Sequence, residues 1–580
     1  MASAAAAANQ TSGRPQRGNL LLSFVSGTST RPLLFATLDQ VLKQAVVAGA
    51  ERTAIVAPQQ MARHTFREFD ALVESVARGF VACGLEPGER VGIWAPNCVE
   101  WVLTMFAAAR AGLILVNINP AYRTYELEHA LRLVGCRALV FAPAYKGSNY
   151  LTMLQELIPE LADAAPGRLR AARLPDLRLL VRVADDAAAG CVSFRELAAQ
   201  GERLDAAALA AARVRSDPDQ PVNIQFTSGT TGSPKGATLS HFNIVNNGFF
   251  VGESLRLTAE DRLCIPVPLY HCFGMVLGVL AAMTHGAASI FPGEGFDPLL
   301  TLQTVQRERC TVLHGVPTMF IAELEHPQFG EFDLTSLRTG IMAGAPCPIA
   351  VMRRVVTEMH MPEVSICYGM TETSPVSFQS ACDDPLERRV TTVGRIHPHV
   401  QVKIVDDAGR VTRRGTPGEL LTRGYSVMRG YWGQPDRTAE AIDAAGWMHT
   451  GDLASLDDEG YCNIVGRVKD MIIRGGENVY PREIEEFLYR HPSIIDVAVV
   501  GVPDHRYGEE ICACVRLRHG AHATAEDIRE FCRDKIAHYK VPRYVRFFDS
   551  FPQTVTGKVQ KYLLREQLQG ELGRAEEQHA

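Results

Sequence analysis

The sequence predicts an α/β protein with a large N-terminal region of two α/β subdomains plus a small β-barrel, followed by a small α+β C-terminal domain. Three observations predict it. At 580 residues the chain exceeds what one hydrophobic core usually supports, so several subdomains are required. Strand and helix periodicities alternate through the first half, the signature of parallel sheets whose ligand sites lie at the carboxyl ends of the strands. From Thr391 to about Gly466 the pattern changes to short Val/Ile/Leu runs cut by Gly, Pro and Asp, and near Lys469 it returns to mixed helix and strand. The resulting boundaries are a disordered tail over 1–19, an N-terminal unit over 20–468, a C-terminal unit over 469–570 and a tail over 571–580.

Taken in order, Thr65 and Glu68 form a capping box, and Phe69, Leu72, Val73, Val76, Phe80 and Val81 follow at helical spacing until Gly84. Arg90–Trp94 reads as a strand, Cys98–Arg110 as a helix ended by Gly112, and Leu113–Ile118 as a strand. Glu126–Val134 is a helix stopped by Gly135, before the strand Ala138–Phe141. Between about Pro159 and Pro221 the chain is Ala- and Arg-rich, with a strand over Leu177–Val183 and no visible chemistry. A second α/β unit begins with the strand Val222–Phe226, the helix His241–Leu255 and extended segments at Leu263–Val267 and Ala287–Phe291. In the last domain Pro481 starts a helix reaching Tyr489, Val497–Val502 and Ile511–Leu517 are strands, and Ala525–Ala537 is helical.

Composition excludes several classes. Hydrophobic residues at 46% and charged ones at 21% are those of a folded globular chain, so wholesale disorder is out. A net charge of −6, with Lys and Arg spread evenly, makes no case for nucleic acid. The 14 cysteines are scattered, without C-x-x-C pairs or zinc spacing, and read as reduced core thiols. Cys512 and Cys514, two apart on a strand, point to one face as core residues. Leu263–Gly293 lacks charge, but Pro266, Pro268, His271 and His285 interrupt it, so no transmembrane segment is expected. No acidic residue precedes Asp39, which gives the start a weak transit-peptide character; Gly13, Pro15 and Gly18 break any long helix there.

The stretch Thr227–Gly236 follows a strand and concentrates hydroxyls, glycines and Lys235. Glycines let backbone N–H groups turn inward as an anion nest, hydroxyls add donors, and the lysine adds a mobile charge. That is phosphate chemistry, but not a Walker A loop, because Gly236 follows Lys235 and no Gly-Lys-Ser/Thr run exists here. A flexible surface linker is the bland alternative.

Five further stretches join this loop: Pro268–Gly274, Gly344–Pro346, Tyr368–Thr373, Thr450–Arg467 with Arg474–Glu477, and Pro552–Lys558. Their order and spacing resemble the adenylate-forming (AMP-binding) superfamily, and within it the acyl-CoA synthetases that act as medium-chain fatty acid–CoA ligases. The likeness runs from about residue 20 to about 570. It implies two half-reactions: an acid joins the α-phosphate of ATP with release of pyrophosphate, and the acyl group then passes to the coenzyme A thiol.

For the first half-reaction the resemblance implies that Thr227, Ser228, Gly229, Thr230, Thr231, Gly232 and Lys235 hold the β- and γ-phosphates, with Thr230 near Mg²⁺. Tyr368 would stack on adenine beside Gly369, Thr371 would contact the α-phosphate, and Glu372 would ligate Mg²⁺, which prefers hard oxygen ligands. Gly344, Ala345 and Pro346 would line the adenine, while Asp452 and Arg467 would fix the ribose. Lys558 would bridge the acid and the α-phosphate, a task suited to a compact ammonium on a flexible stem.

For the second, Lys469 would be a hinge about which the mobile C-terminal domain turns, exchanging Lys558 for Gly475 and Gly476, whose missing Cβ atoms suit a narrow thiol channel. An ordinary hairpin turn is the bland alternative for the Gly475–Gly476 pair. His271 matches a position at the mouth of the acid pocket, or is a buried, satisfied histidine. The expected enzyme is thus an ATP- and Mg²⁺-dependent acyl-CoA ligase for a medium- or long-chain acid, acting on small molecules, with a homodimer as one expected assembly. Its alternatives are a ligase for an aryl or branched acid or for a carrier-protein thiol, and a catalytically silent nucleotide-binding protein. The expected location is the cytoplasm, with the mitochondrial matrix as alternative.

Overall fold

A computed structural model describes residues 21–577 except 187, 206, 208, 211–216, 228–233, 346, 505 and 555–558. Two large sheets form the bulk of the molecule. The first has eight strands in the order Cys191–Ser193, Leu179–Arg182, Ala138–Phe141, Arg90–Trp94, Ile114–Asn117, Pro221–Thr227, Lys235–Ser240 and Gly430–Tyr431. It is parallel up to Pro221–Thr227 and antiparallel across the last two pairings. The second has nine strands, parallel through its centre from Thr53–Ala57 to Glu363–Gly369 and antiparallel at both edges.

Local chemistry explains the elements between them. Thr65 Oγ1 accepts from the Glu68 N–H at 3.2 Å and Glu68 Oε2 accepts from the Thr65 N–H at 2.8 Å, so the capping box opens the helix Phe66–Ala82 as expected. Its buried stripe, Phe66, Phe69, Val73, Val76 and Phe80, follows the helical period. Gly135 ends Thr124–Val134 in the left-handed region, at φ 59°. The charge-poor stretch after Leu263 forms a buried strand, a turn and a helix wound as a π-helix over Phe273–Leu280, all eight of whose residues are buried.

Three expectations shift. The β unit after Thr391 is an open five-stranded antiparallel sheet, Phe24–Ser26, Val400–Val405, Gly418–Gly424, Met448–Leu456 and Cys462–Arg467, and not a barrel among the described residues. Its outer strands, Phe24–Ser26 and Cys462–Arg467, are not paired to each other, so the sheet stays open. The helix from Ala525 stops at Cys532, because Arg533 is extended and Asp534 takes φ 59°. A helix over Lys561–Glu577 runs from the C-terminal unit on into positions 571–577, read as tail.

The C-terminal sheet runs Glu477–Val479, Ile472–Arg474, Gly508–Leu517 and Ile494–Asp504, with Tyr544–Phe547 parallel to Gly508–Leu517. It has its own core on two faces. Ile484, Leu488, Val499 and Val515 pack on one, and Cys512, Cys514, Phe551, Leu564 and Leu568 on the other. The two cysteines are therefore core, on one face as their spacing requires. All fourteen cysteines are free thiols, and no cluster of His, Cys, Asp or Glu among the described residues could hold a metal by itself.

Candidate active site

The phosphate-type stretch joins two antiparallel strands, Pro221–Thr227 and Lys235–Ser240. Pro221–Thr227 lies parallel to Ile114–Asn117 in the middle of the first sheet, and Thr227 pairs with Lys235 across the loop. Gly236 packs closely, since a Cβ there would stand 3.0 Å from Ile224 Cγ2. Ser228, Gly229, Thr230, Thr231 and Gly232 lie outside the described residues, so the two ends, Thr227 and Lys235, carry the geometry.

The two ends meet neighbours that are hydrogen-bonded to each other, Thr227 meeting Glu372 and Lys235 meeting Tyr431. The strand Glu363–Gly369 delivers Tyr368 and then a 3₁₀ turn over Thr371–Thr373 that buries Glu372. Glu372 Oε1 accepts from Thr227 Oγ1 at 3.3 Å and from the Tyr431 hydroxyl at 2.9 Å. The ring of Tyr431 lies under the Lys235 ammonium, 4.8 Å from its centroid. Burial, followed by the Glu372 charge, pushes the Tyr431 phenol well above its ordinary range, so it is a donor. Gly369 is required by close approach: a Cβ there would lie 1.8 Å from the Pro375 carbonyl oxygen. Thr371 Oγ1 stands 3.8 Å from Cys272 Sγ.

The next strand of the second sheet, Thr339–Met342, runs parallel to Glu363–Gly369 with Met342 opposite Ile366. It therefore points Gly344 and Ala345 along the same sheet end as Tyr368. Gly344 takes φ 89°, a conformation that favours glycine. Pro346 lies outside the described residues.

Asp452 and Arg467 are cross-strand partners in the open sheet. Arg467 Nε is 2.9 Å from Asp452 Oδ1, and the Tyr368 hydroxyl donates to Asp452 Oδ2 at 2.5 Å. Burial works against the Arg467 charge, but Asp452 outweighs it and holds the guanidinium above its ordinary value. Burial, then Asp452, raises the Tyr368 phenol well above its usual range. An aromatic plane, a carboxylate and a guanidinium thus stand together at the junction of two sheets.

His271 is partly buried, and its Nδ1 accepts the Phe273 N–H at 3.1 Å. That bond places the ring proton on Nε2. Lys469 is exposed in the turn between Cys462–Arg467 and Ile472–Arg474. Gly475 and Gly476 form the tip of the hairpin Ile472–Val479, at φ 59° and 89°, with the Gly475 N–H donating to the Tyr507 carbonyl at 2.8 Å. Arg474 is held beside them by both oxygens of Glu510, at 2.7 and 2.8 Å. Lys558 lies outside the described residues; Gln553 and Val559, on either side of it in the chain, form an antiparallel bridge.

Sequence reasoning missed Tyr431 and the part Thr227 plays in holding Glu372. The only signal for Tyr431 was an aromatic after Gly430, which becomes meaningful once the pairing of Ala237 with Tyr431 is known.

The sequence profile of AMP-binding enzymes matches residues 42–432, and that of the AMP-binding enzyme C-terminal domain matches 483–558. The mitochondrial medium-chain acyl-CoA ligase ACSF2 of Danio rerio is 47% identical over 562 residues, which cover 96% of this chain and 93% of that protein. The crystal structure of the anthranilate CoA ligase AuaEII in complex with anthranoyl-AMP matches with a TM-score of 0.83 at 27% identity, over 94% of this chain and 99% of its own. ATP-bound MatB from Rhodopseudomonas palustris matches with a TM-score of 0.79 at 29% identity, over 92% and 99% of the two chains.

Proposed function

This chain belongs to the AMP-binding enzyme family, and on that premise we propose how its residues carry out the work of an AMP-forming acyl-CoA ligase. In the first half-reaction a carboxylate oxygen attacks the α-phosphorus of ATP, the bond to pyrophosphate breaks, and acyl-AMP forms. In the second, the thiol sulfur of coenzyme A attacks the acyl carbon, the bond to AMP breaks, and the thiol proton is released. The single observation that carries this reading is the meeting of Tyr368, Asp452 and Arg467 beside Glu372 and Thr227.

Tyr368, with Gly344 to Pro346, would bound the adenine, and the oxygens of Asp452 would accept the ribose hydroxyls in exchange for the Tyr368 hydroxyl. The loop from Thr227 to Lys235 would hold the phosphates that leave, with Thr371 at the α-phosphate. Glu372 and Thr230 would hold Mg²⁺, which supplies charge neutralisation at the phosphate oxygens. The fit is supported by a buried carboxylate whose Oε2 receives no hydrogen bond from any described residue. His271, through its Nε2–H, would orient the acid. Lys558 would neutralise charge as the acid oxygen meets phosphorus, and Gly475 and Gly476 would flank the thiol path after a turn about Lys469 at the 468/469 boundary.

The preferred acid is of medium or long chain, and the name of the Danio rerio relative supports medium chain. The proposed location is the cytoplasm, with the matrix as alternative; free cysteines suit either reducing compartment. No helix among the described residues is long and apolar enough to cross a membrane. A homodimer is proposed as the assembly, to be read by light scattering.

Pyrophosphate release across a panel of fatty, aryl and branched acids, with and without coenzyme A, tests the reading. Release that follows fatty acids and yields acyl-AMP without coenzyme A is expected; an aryl preference would transfer the assignment to that class. Lys558→Ala is expected to lose on the order of 3 kcal/mol or more of transition-state stabilisation in ATP–pyrophosphate exchange, while converting preformed acyl-AMP to thioester. Near-normal exchange in that variant would remove Lys558 from the mechanism.

A further inference from the structure

Glu372 is held by a residue that the phosphate and adenine motifs do not contain. Both of the donors recorded to its side chain, the Tyr431 hydroxyl at 2.9 Å and Thr227 Oγ1 at 3.3 Å, go to Oε1. Its backbone carbonyl accepts the Met428 N–H at 2.9 Å, from the segment leading to Tyr431. Tyr431 is itself immobilised. It is 7% exposed, it pairs with Ala237 in the strand that leaves the phosphate loop, and its N–H donates to Thr438 Oγ1 at 2.9 Å. The Lys235 ammonium rests over its ring at 4.8 Å. One side chain therefore touches the acid and the cation that flank the loop.

We propose that Tyr431 is a positioning residue for adenylation: its hydroxyl fixes one oxygen of Glu372 so that the other is presented for metal, and its ring holds Lys235 beside the phosphate loop. The proposal rests on the family reading above and adds to it a residue and a division of labour between two oxygens. A carboxylate gripped on one oxygen by two hydroxyls has lost its freedom to rotate, so presenting Oε2 costs little further ordering. Without the phenol, Thr227 alone would orient the carboxylate, and Glu372 would reach its ligating pose only part of the time. The ring acts separately, because the attraction between an ammonium and an aromatic face does not need the hydroxyl.

Tyr431→Phe separates the two roles, keeping the ring and removing the hydroxyl. Binding is read without turnover, by electron paramagnetic resonance titration of Mn²⁺ into protein with ATP, and by ATP binding in EDTA. In Tyr431→Phe, Mn²⁺ affinity in the ATP complex is expected to fall by about tenfold, the scale of one lost hydrogen bond to a charged group. ATP affinity in EDTA and the melting temperature should stay near wild type, the latter within about 2 °C. Tyr431→Leu, which also removes the ring, should weaken ATP in EDTA as well. Thr227→Val, removing the longer of the two bonds from a residue that also borders the phosphates, should weaken Mn²⁺ more than it weakens ATP in EDTA, and this difference serves if Tyr431→Phe does not fold. Wild-type Mn²⁺ affinity in Tyr431→Phe, or equal losses with and without metal, would overturn the proposal and leave the family reading standing. Wild-type protein that binds no ATP would overturn both.

Discussion

His397 is a buried imidazole, 2% exposed, whose Nε2 is 3.0 Å from Gln379 Oε1 and whose Nδ1 has no hydrogen-bond partner among the described residues. Burial lowers its pKa to about 3, as it lowers His241 to about 3 and His314 to about 4. Each is neutral in the fold and takes up a proton on unfolding once the pH drops below about 6.5. The unfolded chain then binds more protons, so stability present above that value is lost as pH falls toward the folded pKa, at about 1.4 kcal/mol per unit for each histidine. His397→Gln should lose about 2 kcal/mol less than wild type between pH 7 and pH 5 in urea titrations. An unchanged difference would show that His397 is not the group responsible. Residues of this kind show how far reading one position can go. Glu372 and Asp452 were legible because their motifs are local, whereas Tyr431 depends on a pairing with Ala237 nearly two hundred positions away.

Among elements, the helix Pro317–Leu324 contains an inconsistency. Glu323 sits on it 1% exposed, and its Oε2 has no partner among the described residues. Burial pushes its pKa well above the usual carboxylate value, so the fold holds a proton that the unfolded chain releases. Stability from this group is thus present below about pH 4.5 and lost as pH rises toward the folded pKa. Glu323→Met, similar in volume and without the polar burden, is expected to stabilise the protein by about 1–2 kcal/mol, and by more at pH 8 than at pH 5. A lower melting temperature at both pH values would show that the carboxyl is satisfied after all. Elements with local signals, such as the Thr65 capping box and the Gly135 stop, could be read from sequence. The helix Lys561–Glu577 could not, because among its described side chains Leu564 and Leu568 alone are buried in the core, too few to mark a helical period. Nor could the open sheet, since turn-bounded strands carry no mark of whether their edges meet.

The whole molecule joins its last sheet to the rest through the short segment around Lys469. The Asp470 and Met471 N–H groups both donate to the Arg467 carbonyl at 3.1 Å, and the Val468 N–H to the Gly451 carbonyl at 3.0 Å. Arg482 Nη1 reaches the Ile464 carbonyl at 2.8 Å, tying the C-terminal helix Pro481–Leu488 to the open sheet. Lys469→Pro fixes φ at the proposed hinge. It is expected to spare ATP–pyrophosphate exchange and slow thioester formation by at least about tenfold; equal loss of both half-reactions would place the pivot elsewhere. The parallel architecture was legible at this scale from alternating periodicities, but the seating of the C-terminal unit, set by contacts such as Arg482 with Ile464, was not.

Twelve of the fourteen thiols are buried, and only Cys83 and Cys367 are partly accessible. Replacing those two leaves a protein in which a cysteine added to a surface loop of each unit would be the preferred site for a maleimide dye. A pair of such dyes would turn the proposed rotation into a change in energy transfer, followed one molecule at a time as ATP, acid and coenzyme A are added in turn.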